Sequence, residues 1–345
     1  MNTILTRKNK INAFARLGEI ITDPDSELLD LIDSAKFTNA WFTPQNTRNA
    51  IEGIAAMLNR NDLEMWLADS LQEENIETKK PQSVGLVLAG NIPLVGFHDI
   101  LCVLASGKKA LIKLSSQDQK LIPYILDKLI EIEPAFAQQV EYIERLSNFD
   151  AVIATGSNNT SRYFEYYFKH VPHIIRKNRN SVAILQGEES AGQLAELGKD
   201  IFAYFGLGCR NVSKLYVPKN YSFNYFFESI ERFKGIADHH KYVNNYDYNK
   251  SIYLVNQDQH LDNCFLLLKK DSRLASPLAV LYYEEYDNVI DLKNSLENIS
   301  VQIQCIVSSY AFKFSTNQVD FGLSQQPKLW DYADGVNTMI FLKDL

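Results

Sequence analysis

Residues 83–94 read SVGLVLAGNIPL, so a short apolar run at 83–89 leads directly into a turn that contains glycine, asparagine and proline. Similar apolar runs occur at 109–113 (KALIK), 150–154 (DAVIA) and 182–185 (VAIL). Brief apolar runs bounded by polar residues are typical of strands that are buried on both faces of a parallel sheet. Crossover helices are predicted between these strands, at 94–106, 117–132 and 158–170. This alternation predicts an α/β fold with a doubly wound sheet.

The remaining segments have weaker patterns. Residues 1–80 carry apolar residues at helical spacing, which predicts packing helices. In the second half of the chain, helices are predicted at 193–205, 222–233 and 260–269, and strands at 211–217, 280–283 and 303–307. At about 150 residues per domain, a chain of 345 residues predicts two domains.

Composition excludes several classes of protein. Glycine and proline together number only 25, which excludes collagen-like and linker-rich chains. The net charge of −7 with no basic stripe argues against a nucleic-acid partner. There is no apolar run of about 18 residues, so we expect no membrane span. The first ten residues carry charge without a following apolar stretch, so we expect no secretory signal and a cytoplasmic location.

Polar turns follow three of the predicted strands. They are 90–94 (GNIPL), 113–116 (KLSS) and 155–159 (TGSNN). None matches G-x-G-x-x-G or a P-loop, so the usual nucleotide-binding fingerprints are absent. Ligands of doubly wound folds lie beyond the carboxyl ends of the strands, which makes three such turns in succession a candidate ligand site.

One of the four cysteines has an unusual context. Cys102, Cys264 and Cys305 lie in apolar runs and are predicted to be small buried side chains, whereas Cys209 follows two glycines and precedes Arg210. Glycines let another backbone approach closely, and the adjacent cation favours a thiolate. No pair has C-x-x-C spacing, and the neighbouring residues His239 and His240 are expected to point apart, so no metal is assigned.

In order and approximate spacing, these motifs resemble those of the aldehyde dehydrogenase superfamily. The matching family motifs are the W-N-F-P-L turn, the lysine of K-P-x-E, the T-G-S turn and the nucleophile of G-Q-x-C. The chain is most similar to the acyl-CoA reductases, the family of the bacterial luminescence fatty acyl-CoA reductase, over roughly residues 80–345. The resemblance implies an aldehyde dehydrogenase-like fold. A Rossmann-type cofactor domain would occupy residues 1–178 and an α/β catalytic domain residues 179–345, with the attachment of the C-terminal tail left open.

The resemblance also implies roles for individual residues. Cys209 would be the nucleophile that forms a thioester, and Asn91 would donate its amide to the oxyanion together with the Cys209 N–H. Cofactor binding is implied for Lys113, Ser115, Ser116, Thr155, Gly156 and Ser157. Of these, Gly156 and Ser157 would hold the pyrophosphate at the N-terminus of the following helix, where free N–H groups favour anions.

Departures from the family pattern refine the prediction. Hydrolytic aldehyde dehydrogenases use a glutamate to activate water, but residues 174–180 (IIRKNRN) contain no carboxylate. Ser116 stands where the family glutamate would meet the adenosine 2′-hydroxyl, which favours NADP, with NAD as the alternative. The segment 273–277 (RLASP) lacks the Glu and Phe of E-x-F-G-P, so contacts on the nicotinamide side cannot be carried over.

A basic cluster within the same region has two interpretations. Arg176, Lys177 and Arg179 could bind phosphates or form a solvated basic turn, and the sequence leaves both open. The aromatic stretches 163–168 and 221–227 could similarly line an apolar channel or pack in the core.

These observations lead to one predicted function and two alternatives. The predicted activity is NAD(P)H-dependent reduction of a long-chain fatty acyl-CoA to the aldehyde through a Cys209 thioester. The alternatives are a hydrolytic aldehyde dehydrogenase and a nucleotide-binding scaffold without catalysis. Acyl-CoA is the expected partner, and assembly into a homo-oligomer stays open.

Overall fold

The computed structural model describes residues 5–70, 82–156 and 158–345. The helices are α1 (Arg7–Thr22), α2 (Ser26–Thr38), α3 (Pro44–Met57), α4 (Arg60–Ser70), α5 (Phe97–Ala105), α6 (Leu121–Ile132), α7 (Asn158–Phe168), α8 (Ala191–Phe202), α9 (Asn224–Ile230), α10 (His240–Asn256), α11 (Val289–Asn298) and α12 (Thr338–Lys343). The strands are β1 (Ser83–Val87), β2 (Lys109–Lys113), β3 (Val140–Tyr142), β4 (Ala151–Thr155), β5 (His173–Arg176), β6 (Asn180–Ile184), β7 (Val212–Pro218), β8 (Leu261–Asp262), β9 (Leu267–Lys270), β10 (Val280–Tyr286), β11 (Ile303–Val307) and β12 (Gln318–Val319).

The described chain forms two compact units. One comprises the described residues up to Asn178 together with Gln326–Leu345, and the other comprises Arg179–Gln325. The sequence assigned residues 179–345 to the catalytic domain and left open the attachment of the C-terminal tail, whereas residues 326–345 belong to the first unit. No described helix combines the length and apolar character needed to cross a membrane.

The first unit contains a parallel five-stranded sheet in the order β3-β2-β1-β4-β5. The chain moves outward from β1 through β2 to β3 and then returns to the other side of β1, which confirms the predicted α/β, doubly wound fold. Val87 at the end of β1 lies opposite Lys113 of β2 on one side and Ala154 of β4 on the other. This reversal of strand order is the place where such sheets bind ligands.

Local sequence accounts for the helices around this sheet. Three of them begin after Thr6, Asp25 and Thr43, whose side chains accept the N-terminal amide hydrogens. The helix α5 is buried along almost its whole length, as expected for an apolar crossover helix. The predicted crossover helices are therefore present as α5, α6 and α7, with α5 and α6 starting a few residues later than expected.

The second unit contains a seven-stranded sheet in the order β12-β11-β6-β7-β10-β9-β8. Its pairs are parallel except for β8 and β9, which are antiparallel. The predicted strand at 182–185 lies in β6 and so belongs to this sheet rather than to the sheet of the first unit. One large apolar core packs against it and includes Phe223 and Phe226. This confirms core packing for the phenylalanines of the stretch 221–227, whereas Tyr225 is exposed.

The predicted helix at 260–269 is wrong, because this segment forms β8 and β9. Phe265 to Leu268 are four consecutive buried residues, and a short continuous apolar run has the same pattern in a buried strand as in a buried helix. The turn between the strands contains Cys264 with φ 74°. Cys264 is exposed, so its predicted burial is also wrong, whereas burial is confirmed for Cys102 and Cys305.

Buried contacts of Arg176 join the sheet of the first unit to α5 and to the C-terminal segment. Arg176 at the end of β5 is only 3% exposed, and its guanidinium lies 2.7 Å from Asp99 Oδ1. It also donates to Thr338 Oγ1 at 2.8 Å and to the Ala333 carbonyl. Burial alone would raise the pKa of Asp99, but the Arg176 charge holds that pKa below its ordinary value. Both interpretations, phosphate binding and a solvated basic turn, are therefore wrong for Arg176, because its guanidinium is buried and paired inside the unit.

The other two basic residues of that cluster have separate environments. Lys177 is exposed, and its Nζ lies 2.6 Å from Glu165 Oε1. Its backbone N–H donates to Asp334 Oδ2 at 3.2 Å. Arg179 belongs to the second unit and donates to the Ile303 carbonyl at 3.4 Å.

Replacing Arg176 with methionine should lower the free energy of unfolding by about 3–5 kcal/mol, because it leaves the buried Asp99 carboxylate without its partner. Urea denaturation followed by fluorescence measures this change. The matched control is Lys177→Met, which removes an exposed pair and should cost less than about 1 kcal/mol. Equal losses in the two variants would contradict the anchoring role of Arg176.

Candidate active site

The loops that follow β1 and β2 interlock at the carboxyl edge of the first sheet. A Cβ atom on Gly90 would lie 2.4 Å from Ser115 Oγ and 2.8 Å from Gln117 Cβ. The Gly90 carbonyl also accepts a hydrogen bond from Asn39 Nδ2 at 3.1 Å. Only glycine fits at this position, and the close approach places the loop that carries Asn91 against the loop that carries Ser115.

Asp118 connects the same two loops, although the sequence analysis did not identify it. Its Oδ2 accepts the Leu94 N–H at 2.9 Å, and Leu94 has the left-handed φ of 59°. Asp118 is 6% exposed, and burial raises the pKa of its carboxyl group. The residue therefore holds an unfavourable backbone conformation that shapes the loop after Asn91. Only its place just before α6 could have suggested this role.

The third turn lies at the start of α7. A Cβ on Gly156 would lie 3.0 Å from Phe164 and 3.1 Å from Thr160, so the backbone of the turn packs closely on the helix. Ser157, which the sequence also assigned to this turn, lies outside the described residues. Thr155 and Gly156 are half-buried at the end of β4.

The structure thus brings the candidate residues of the first unit to one edge of its sheet. Val87 is flanked by Lys113 and Ala154, so the three loops begin side by side. Asn91, Lys113 and Ser116 are exposed there, and Ser115 is half-buried.

Cys209 lies in the second unit, in a turn just before β7. The turn follows a tight segment in which Tyr204, Phe205 and Gly206 have φ values of 50°, 59° and 80°. Left-handed backbone is costly for the two aromatic residues, and the Phe205 ring packs on His239 with 4.3 Å between ring centroids. Cys209 is exposed at the end of this constrained segment.

Two buried side chains hold the Cys209 turn. Ser181 Oγ donates to the Cys209 carbonyl at 3.0 Å and lies 3.1 Å from Cys305 Sγ. Asn211 Oδ1 accepts the Gly208 N–H at 2.8 Å. Burial raises the pKa of the Cys305 thiol to about 11, so Cys305 stays neutral while it packs beside Ser181.

The two adjacent histidines do not form part of a metal site within the described part of the chain. The rings of His239 and His240 stack with centroids 5.1 Å apart, so the expectation that they point apart is wrong. His239 precedes α10 and His240 is its first residue, which lets the rings lie side by side. The residues that the structure describes contain no group of three or more His, Cys, Asp or Glu side chains arranged to hold a metal ion.

The segment 273–277 is tied to the strand that follows the Cys209 turn. Ser213 Oγ in β7 donates to the Leu274 carbonyl at 2.8 Å, and Arg273 pairs with Asp271.

The aromatic residues of α7 have two different environments. Phe164 and Phe168 contact each other, with 5.8 Å between ring centroids, whereas Tyr163, Tyr166 and Tyr167 are about two-thirds exposed. These tyrosines neither pack in a core nor line an enclosed channel in the first unit.

Comparison with known proteins identifies the family. The family model for acyl-CoA reductase (LuxC) matches residues 30–225, which is more than half of the chain. The chain belongs to the acyl-CoA reductase (LuxC) family. It is therefore an oxidoreductase that acts on aldehyde or acyl groups, which confirms the resemblance inferred from the motifs. No curated protein matches the sequence.

Solved structures similar to this acyl-CoA reductase family member include aldehyde dehydrogenases and an oxidoreductase. An oxidoreductase from Marinobacter aquaeolei has a TM-score of 0.67 at 9% identity, covering 95% of this chain and 80% of its own. The Mycobacterium tuberculosis aldehyde dehydrogenase complexed with NAD+ has a TM-score of 0.63 at 12% identity. The match covers 92% of this chain and 77% of that enzyme. The NAD+ complex of an aldehyde dehydrogenase from Bacillus cereus has a TM-score of 0.60 at 12% identity. The match covers 88% of this chain and 72% of that enzyme. These similarities confirm the aldehyde dehydrogenase-like fold.

A Gly90→Ala substitution should weaken the first unit, because the new methyl group collides with Ser115 and Gln117. Overpacking of this kind costs about 1–3 kcal/mol, measurable as a lower urea midpoint. Gly192→Ala is the control, since its Cβ would meet nothing closer than 3.8 Å and alanine favours the helix α8. A Gly90→Ala protein as stable as the Gly192→Ala protein would contradict the interlocked loops.

Proposed function

We propose that this family member reduces a fatty acyl-CoA to the aldehyde through a thioester on Cys209. The observation that carries the proposal is the exposed thiol of Cys209 on a turn held by two buried side chains, in a chain whose Cys102 and Cys305 are buried. In this proposal the first unit binds the cofactor and the second unit carries the nucleophile.

The proposed reaction begins with acyl transfer. The Cys209 thiolate forms a bond to the acyl carbon, the carbon–sulfur bond to CoA breaks, and CoA leaves as the thiolate. The Cys209 N–H and the Asn91 amide would stabilise the intervening oxyanion, and donors of this kind are worth about 3 kcal/mol each. The nicotinamide cofactor, when bound, supplies the hydride that reduces the thioester, with one proton taken up. Collapse of the Cys209 thiohemiacetal breaks its carbon–sulfur bond, which releases the aldehyde and restores the thiolate, and the hydroxyl proton passes to the CoA thiolate.

The residues of the first unit fit a nicotinamide dinucleotide. Gly156 keeps the backbone close to α7 at the point where a pyrophosphate would meet the helix N-terminus. Lys113 is exposed at the neighbouring strand end and would bind ribose hydroxyls, with Ser115 and Ser116 beside it. The similar solved structures that contain NAD+ support a nicotinamide cofactor.

Cys209→Ala should lower reduction of a long-chain acyl-CoA by at least about 1,000-fold, because alanine has no thiol with which to form the thioester. The measurement is loss of NADPH absorbance together with mass spectrometry of the acylated protein. Cys264→Ala is the matched control, since it removes the other exposed thiol and should retain wild-type turnover.

The result separates this proposal from its two alternatives. Wild-type turnover by Cys209→Ala would overturn it. Formation of carboxylate from aldehyde and NAD without CoA would instead support a hydrolytic enzyme, which the absence of a carboxylate at 174–180 disfavours. A wild-type protein that is never acylated would support the nucleotide-binding scaffold.

NADP is the proposed cofactor, because Ser116 is exposed and adds no negative charge beside an adenosine 2′-phosphate. Ser116→Glu should lower kcat/KM for NADPH by about tenfold through charge repulsion and should leave kcat/KM for NADH unchanged or higher. Steady-state kinetics with both cofactors tests this shift. Ser295→Glu, on the exposed face of α11, controls for added charge. An equal effect of Ser116→Glu on both cofactors would contradict the assignment.

A further inference from the structure

Asn211 lies two residues after Cys209 and is only 4% exposed. Its amide nitrogen donates to the carbonyls of Asp200 at 3.0 Å and Ala203 at 2.8 Å. Its amide oxygen accepts the Gly208 N–H at 2.8 Å. An asparagine amide offers two donors and one acceptor oxygen, so this side chain uses both ends of its amide group.

These contacts link the end of a helix to the nucleophile turn. Asp200 and Ala203 lie at the C-terminal end of α8, where carbonyls lack partners within the helix. Asn211 supplies those partners and at the same time holds Gly208, so the position of the turn is set by the rigid end of α8. The left-handed residues Tyr204 and Phe205 lie in the short connection that this clamp spans.

The backbone of Asn211 fixes a second peptide group. Its N–H donates to the Gly208 carbonyl at 3.0 Å. The described chain has no cis peptide bond, and in a trans peptide the C=O and N–H point in opposite directions. The Cys209 N–H therefore points away from the Asn211 N–H. On the other side of Cys209, Ser181 holds the next carbonyl.

We propose that Asn211 is a positioning residue for acylation of Cys209, and this proposal rests on the proposed function above. By holding the peptide groups on either side of Gly208, Asn211 aims the Cys209 N–H at the oxyanion that forms during acyl transfer. The residue does not touch the substrate. Its loss affects the step in which an oxyanion forms and has little effect on reactions of the thiol that form none.

The test compares two reactions of Cys209 in a Cys264→Ala background, which removes the other exposed thiol. The first is single-turnover acylation by a long-chain acyl-CoA, followed by mass spectrometry. The second is alkylation by iodoacetamide, which forms no oxyanion at the reacting carbon. Asn211→Ala should slow acylation by about 100-fold, as expected for a displaced oxyanion donor, while alkylation changes little.

The matched control is Asn249→Ala. Asn249 is also a buried asparagine of the second unit, at 6% exposed, and it donates to the carbonyls of Asn245 at 2.9 Å and Leu278 at 3.0 Å. Its loss removes a similar set of hydrogen bonds without touching Gly208, so acylation should stay near the rate of the background protein. Thermal unfolding of both variants shows whether their losses of stability are comparable.

A second variant keeps the proposal testable if Asn211→Ala does not fold. Asn211→Asp retains an acceptor for the Gly208 N–H. Its ionised carboxylate, however, places an oxygen that cannot donate a hydrogen bond against the carbonyls of Asp200 and Ala203. Protonation restores one donor. The acylation rate of this variant, divided by that of the background protein at the same pH, should therefore rise as the pH falls from 8 to 6.

The outcomes are distinct. Acylation and alkylation lowered equally in Asn211→Ala, or a rate ratio for Asn211→Asp that is flat with pH, would overturn the positioning role. If the background protein itself is not acylated at Cys209, the proposed function fails instead. A large loss of acylation with preserved alkylation supports the inference.

Discussion

Parallel pairing of β1 with both β2 and β4 is the constraint on which the first unit depends. Since the strands run in the same direction, the loops that follow them begin together at one edge, around Val87. Gly90 then permits contact with Ser115, and Asp118 holds Leu94 in a left-handed conformation. The loops of the candidate cofactor site are therefore positioned by one another as well as by the sheet.

The second unit positions its nucleophile by hydrogen bonds from buried side chains to backbone groups. The Cys209 turn has no regular secondary structure, and side-chain hydrogen bonds to backbone groups replace the strand and helix ladders there. The Asn211 side chain holds the Gly208 N–H, and the Ser181 side chain holds the Cys209 carbonyl. Buried hydrogen bonds of this kind are expensive to break, so they keep an exposed residue in a defined orientation.

Sequence patterns predicted the elements that depend on local signals. The strands β2 and β11 match their expected ranges, and β1, β4 and β7 are displaced by at most two residues at either end. The helix predicted at 260–269 was wrong because a short apolar run looks the same in a buried strand and in a buried helix. Arg176 was part of a basic cluster in the sequence, but its charge is neutralised by Asp99, which lies 77 positions away in the chain.

The sequence by itself determined the alternation of strands and helices, the polar turns after the strands and the unusual context of Cys209, because each depends on neighbouring residues. Only the tertiary structure decided which buried polar groups support those turns. Asp118, Ser181 and Asn211 act through backbone atoms that folding brings to them, and buried polar groups must find partners wherever the fold places them. The choice between a surface cation and a buried anchor at Arg176 depended on the same requirement.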